Sequence, residues 1–140
     1  MQITVLSSVL IVLFGERYRT LRFRTAFLLY FFIVVLGAIP NVRSEIGEFA
    51  SGLVLHATAY AAITFLLSTG SGASRRRALF QAFIIALAMG ALDEYIQSYF
   101  PYRRASLQDW LVDGTASLIT VALLSRFSPT ARLQALEKRT

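Results

Sequence analysis

Residues 92–113 gather Asp93, Glu94, Gln97, Arg103, Arg104, Asp109 and Asp113 around a break at Pro101, in a sequence that is otherwise strongly apolar. A carboxylate in mid-bilayer costs about 2.5 to 3.5 kcal/mol even on the mildest scale, so such residues persist where they are paired, face a wet cavity or do chemistry. Asp93 and Glu94 suit general acid or base catalysis, or a cation held through oxygen; the alternative is a structural ion pair with Arg103 or Arg104 across the turn. On a helix the two carboxylates point about 100° apart, which directs one of them towards a cavity centre. His56, the single histidine, has the titration range to pass protons and a lone pair to bind metal, against a plainer role as a hydrogen bonder between helices. Tyr60 either orients it or packs. Arg103 offers a planar fork that grips a phosphate or carboxylate through two bonds, whereas Arg104 reads as snorkelling to lipid phosphates. Asp109 reads first as a charge at the positive end of a helix, and Asp113, deeper in, first as a site residue. The catalytic candidates are therefore His56, Asp93, Glu94 and Asp113, and the substrate-binding candidates are Tyr60, Gln97, Arg103 and Asp109.

These residues need helices to position them. His56 and Tyr60, Asp93 and Gln97, and Asp109 and Asp113 are each four residues apart, which puts each pair on one helix face. The helices expected to carry them span residues 49–67, residues 78–99 with a stop at Pro101, and a last helix capped by Ser106 that runs to about Phe127, with Asp109 in its first turn. At about 1.5 Å per residue, His56, Asp93 and Asp113 fall roughly 9 to 11 Å below the helix ends on one side. Three polar faces at one depth predict a shared cavity open to that side.

The order of these residues resembles the signature of VanZ-like membrane proteins: a helix carrying His and, four residues on, Tyr; a D-E-x-x-Q helix end; a P-x-R turn; and a D-W-x-x-[ND] helix start. His56 and Tyr60, Asp93-Glu94 with Gln97, Pro101 with Arg103, and Asp109-Trp110 with Asp113 supply them in that order. Tyr102, Ala116 and Thr120 stand where the family pattern has glycine. The resemblance covers roughly residues 55–120, about half the chain. It implies a bacterial membrane protein with a link to glycopeptide resistance, teicoplanin in particular, and it supplies no agreed reaction.

Composition points the same way. With 140 residues, 56% of them hydrophobic, and a mean hydropathy of +0.58, the chain carries more apolar surface than a soluble domain of its size can hide. Absence of cysteine removes disulfides and thiolate metal sites. With one histidine, a structural zinc site has little support, whereas a hard divalent cation such as Mg²⁺ held by carboxylates stays open. The net charge of +6 lies in short basic runs between apolar segments, which argues for topology signals and anionic lipid contacts and against nucleic acid. The chain has no Walker loop, G-x-S-x-G elbow or H-E-x-x-H, and no duplicated topology.

In chain order, residues 1–14 are apolar but short of the roughly 20 that a span takes, so a short or tilted helix is expected, with an interfacial one as the alternative. Arg17, Arg19, Arg22 and Arg24 follow, then an apolar run over residues 25–39 that Leu21 and Phe23 lengthen into a span and Pro40-Asn41 stops. Residues 41–48 are polar, residues 68–74 form a Gly/Ser turn, and Arg75, Arg76 and Arg77 come next. Tyr99 and Trp110 read as an interfacial aromatic belt. Counting Lys and Arg between spans gives eleven on one side and three on the other, so the Pro101 turn is expected to face outward.

The expected fold is an all-α polytopic transmembrane bundle of four to five helices, with residues 1–127 as the VanZ-like transmembrane domain and residues 128–140 as a short cytoplasmic tail. The expected place is the bacterial plasma (inner) membrane, with the polar cluster on the outer face. The leading functional expectation is action on a lipid-linked cell-envelope intermediate. The others are a non-catalytic lipid or antibiotic binding or accessory protein, and a lipid transporter. The implied partners are membrane lipids and a lipid-linked small molecule, not nucleic acid.

Overall fold

Small residues recur at every fourth position through Ala78, Ala82, Ala86 and Gly90, and Glu94 continues that stripe. Such a face lets neighbouring helices approach closely, which drives helix association where lipid removes the hydrophobic contrast. A computed structural model describes residues 5–39, 51–102 and 105–127 of the chain. Helix α1 covers Val5–Phe14 and is followed by a 3₁₀ turn over Glu16–Tyr18. Then come α2 (Arg19–Ala38), α3 (Gly52–Gly70), α4 (Arg75–Gln97) and α5 (Leu107–Arg126), and the described residues contain no strand. The polar segment 41–48, Arg103, Arg104 and the tail 128–140 lie outside the described residues.

Among the described residues, three stretches are long and apolar enough to cross a membrane: Glu16–Ala38, Gly52–Gly70 and Arg75–Gln97. The ten residues of α1 reach about 15 Å, half the thickness of a bilayer core. The distribution of side chains is that of a membrane protein. Leu28, Phe31, Phe32, Phe80, Leu118 and Ile119 are exposed on the outside, while Arg22, Thr64, Asp93, Glu94, Gln97, Asp113 and Ser117 are buried within.

Helix α3 sits centrally and packs on α2, α4 and α5. Its Tyr60, Ile63 and Leu67 meet Ala82, Ala86 and Met89 of α4 and Ala26 of α2 in one core. Helices α3, α4 and α5 run successively antiparallel, since Arg75 at the start of α4 reaches the end of α5 and Glu94 near its finish reaches the cap of α5, so α3 and α5 both begin at the end of the bundle where α4 finishes. Side chains tie the ends together. The Tyr102 hydroxyl donates to the Ala38 carbonyl, and that of Tyr30 to the Met89 carbonyl at 3.1 Å.

At the other end Arg22, expected among the topology charges, is buried and donates to the carbonyls of Thr69 (2.8 and 3.3 Å) and Val12 (2.8 Å). Arg75 likewise donates to the Leu124 and Ser125 carbonyls at 2.6 and 2.9 Å. The last carbonyls of a helix have no partner within it, and each arginine supplies one. Two boundaries move for a related reason. The Gly/Ser stretch expected as a turn from residue 68 stays helical through Gly70, and α4 begins at Arg75, not 78. Hydropathy marks where the bilayer ends, whereas arginine is a good helix former and carries the helix past that point.

Candidate functional site

The site forms where α5 begins. Ser106 caps that helix as expected, its Oγ accepting from the Asp109 backbone N–H at 3.2 Å, and its own N–H donates to Glu94 Oε2. Glu94 thus crosses the turn to a backbone amide. Glu94 and Asp109 both sit at the positive end of α5, where helix N–H groups favour negative charge.

Beside them His56 of α3 meets Asp113 of α5, with Nδ1 3.0 Å from Oδ1. With Asp113 ionised its oxygen can only accept, which would put the proton on Nδ1 and, in the neutral imidazole, leave the lone pair on Nε2. Nε2 lies 4.0 Å from Asp109 Oδ2. Asp113 is 1% exposed, while the side chains of His56 and Asp109 are 12% and 18% exposed, so the cluster is rooted in the bundle and reaches its surface. Counted from the helix ends observed, His56, Asp93 and Asp113 lie roughly 6 to 9 Å deep, slightly shallower than expected because α3 begins at Gly52 and α4 ends at Gln97.

Space for Asp113 comes from Gly90. A Cβ there would stand 3.0 Å from Asp113 Oδ2 and 3.1 Å from Trp110 Cδ1. Trp110, expected in an interfacial belt, is a tie between helices: it is half-buried and its Nε1 donates to the Leu87 carbonyl at 3.1 Å. Its signal in the sequence is position, three residues before Asp113 and therefore on the same face. Tyr99 is exposed.

Both acids of the Asp93-Glu94 pair are buried, at 3% and 8% exposure, where only one was expected to turn inward. The reason is that α4 has neighbours on more than one side. Glu94 reaches α5, while Asp93 lies within electrostatic range of Tyr30 on α2 and of Tyr60 and His56 on α3. Tyr60 is fully buried, its ring parallel to the His56 imidazole with centroids 6.4 Å apart. Gln97 is buried one turn beyond Asp93, and Arg103 lies outside the described residues.

The structure therefore brings His56, Glu94, Asp109 and Asp113 into one cluster, with Tyr60 and Asp93 against it. Among the described residues, the ion pairs made by its carboxylates are both to His56. Among the described residues, four buried side-chain atoms in this region have no hydrogen-bond partner: Tyr60 Oη, Glu94 Oε1, Gln97 Oε1 and Asp113 Oδ2. Elsewhere among the described residues there is one, Ser68 Oγ. Leaving such an atom unmet costs about 1 to 3 kcal/mol, so their concentration here marks a place built to receive polar groups. A groove of about 560 Å³, lined by Arg19, Phe23, Gly70 and Gln81, lies at the opposite end of the bundle and holds none of these residues.

The arrangement offers an imidazole lone pair held in one orientation, with carboxyl groups beside it in a partly water-excluded setting. That equips it for proton transfer or for holding a polar or cationic group. In comparisons with known proteins, the chain matches no family model, no curated protein and no solved structure.

Proposed function

We propose that the chain is a VanZ-like enzyme of the bacterial plasma membrane, acting on the polar head of a lipid-linked cell-envelope intermediate at the outer face. The observation that carries this reading is the His56–Asp113 contact, which joins residues 57 apart at the end of a helical bundle with Glu94 and Asp109 beside it. Two of the three helical elements of the VanZ-like pattern, the His-and-Tyr helix and the D-W-x-x-D start, contribute one residue each to that contact, and the D-E-x-x-Q end contributes Glu94. The apolar exterior would accommodate a substrate's lipid tail while the cluster received its head group. In this reading His56 Nε2 faces the reacting group, Asp113 is the positioning residue behind it, and Glu94 is a second titratable group. Arg103 is assigned to an anionic head group on its chemistry alone. A role in teicoplanin resistance belongs to the same proposal.

The test is mass spectrometry of a bacterial envelope-lipid extract after incubation with purified protein, comparing wild type with Glu94→Gln at matched folded concentration. A lipid that changes mass with wild type alone is the expected result, and the mass difference identifies the reaction class. An unchanged extract, with lipid co-purifying equally with both proteins, would replace catalysis by recognition or transport.

Orientation has its own test, because the chain contains no cysteine. A cysteine at the exposed Ala105 should react with a membrane-impermeant thiol reagent added to intact cells, and one at the exposed Ser74 should not. The reverse pattern would turn the site to the cytoplasm.

A further inference from the structure

One ligand atom from each of His56, Glu94 and Asp109 lies within 4.8 Å of the other two. Metal–nitrogen and metal–oxygen bonds of about 2.0 to 2.2 Å put ligand atoms roughly 3.4 Å apart in a tetrahedron and at most about 4.4 Å apart across an octahedron. The 4.0 Å between His56 Nε2 and Asp109 Oδ2 already falls in that range, and the other separations, at most 4.8 Å, lie within about 0.4 Å of it.

Two independent features aim this set at a cation. The first is the side chain of Glu94, which is 8% exposed: Oε2 accepts the Ser106 N–H, and Oε1 is buried with no hydrogen-bond partner among the described residues. The second lies behind the histidine. Metal-bound imidazoles characteristically donate their other N–H to a carboxylate, which fixes ring and tautomer, and Asp113 Oδ1 stands 3.0 Å from His56 Nδ1, placed to accept that N–H. Charge adds a third argument, since Asp93, Glu94, Asp109 and Asp113 crowd around one imidazole and have no other cationic partner among the described residues.

We propose that His56 Nε2, Glu94 and Asp109 bind one divalent cation of the first-row transition series, with Asp113 orienting the imidazole. A nitrogen with two carboxylates suits Mn²⁺, Fe²⁺ or Zn²⁺ better than Mg²⁺ or Ca²⁺, which take oxygen ligands throughout. Three protein ligands is also the number found where a metal keeps coordination positions open for a reactant. The inference rests on the site as assembled above and not on the identity of its lipid.

The experiment uses full-length protein in detergent, stripped with chelator and titrated with Mn²⁺ alone, read by electron paramagnetic resonance. One Mn²⁺ per chain is expected, with spin-echo modulation from a directly bound nitrogen, which in this chain identifies His56. His56→Ala should remove the nitrogen signal and Glu94→Gln should weaken binding at least 100-fold. Asp113→Ala should weaken it about 10- to 100-fold while keeping the stoichiometry. Equal Mn²⁺ binding by wild type and the Glu94→Gln/Asp109→Asn double variant would overturn the proposal, as would bound Mn²⁺ with no nitrogen modulation. The lipid assay run on stripped protein separates the two readings. Conversion without metal leaves the enzymatic reading standing and removes the cation from it; tight Mn²⁺ binding with an unchanged lipid extract does the reverse.

Discussion

Asp113→Asn should yield a folded protein that turns over its substrate about 10²- to 10⁴-fold more slowly than wild type. The substitution keeps the shape of the side chain and removes its obligatory acceptor character. Asparagine at this position can donate its amide N–H to His56 Nδ1, which moves the imidazole proton to Nε2 and takes the lone pair away from the face shared with Asp109 and Glu94. Losing the correct tautomer while keeping the geometry costs up to about 10⁴-fold in the Ser-His-Asp enzymes, where the carboxylate plays this same holding part. On the enzymatic reading proposed above, conversion of the envelope lipid measures the effect, and an unchanged near-ultraviolet signal from Trp110, the chain's single tryptophan, confirms that the bundle is intact.

Gly70→Ala should cost about 2 to 3 kcal/mol of stability, and it acts at the far end of the bundle from the His56 cluster. A Cβ on Gly70 would press against the Phe23 backbone, 2.8 Å from its Cα and 3.0 Å from its Cβ. Overpacking a well-filled contact typically costs about 1 to 3 kcal/mol, and backbone cannot rotate away as a side chain can. The thermal midpoint in detergent should fall by roughly 5 to 10 °C. Gly72→Ala is the internal control. Its added methyl would meet the flexible guanidinium of Arg19 at 3.4 Å, so its midpoint should stay within about 1 °C of wild type. Equal midpoints for Gly70→Ala and wild type would mean that α2 and α3 do not cross as closely as described.

How far the site could be read from the sequence depends on which distances set it. Within one helix the distances are fixed, so the pairing of His56 with Tyr60, of Asp93 with Gln97 and of Asp109 with Asp113 follows from a four-residue spacing. Ser106 as the cap of α5 follows from residue type. That His56 meets Asp113 directly, while Glu94 turns to the Ser106 amide, depends on how α3, α4 and α5 cross, and nothing local records it. Arg22 and Trp110 show the same limit from the other side. An arginine near the end of a span and a tryptophan near a turn are usually headgroup residues, and here Arg22 is taken by helix-end carbonyls and Trp110 by the mid-helix carbonyl of Leu87 on a neighbouring helix. The expectation that only one of Asp93 and Glu94 faces inward failed because α4 packs on both α3 and α5, so directions 100° apart both lead into protein.

Everything in the account of the site turns on the state of one imidazole, and the chain's single histidine makes that state directly visible. The measurement is the ¹⁵N spectrum of histidine-labelled, metal-free protein at mildly alkaline pH. The hydrogen bond to Asp113 predicts a protonated Nδ1 and a bare Nε2 in wild type, with the proton moved to Nε2 in Asp113→Asn. A wild-type spectrum with the proton on Nε2, unchanged by Asp113→Asn, would contradict it.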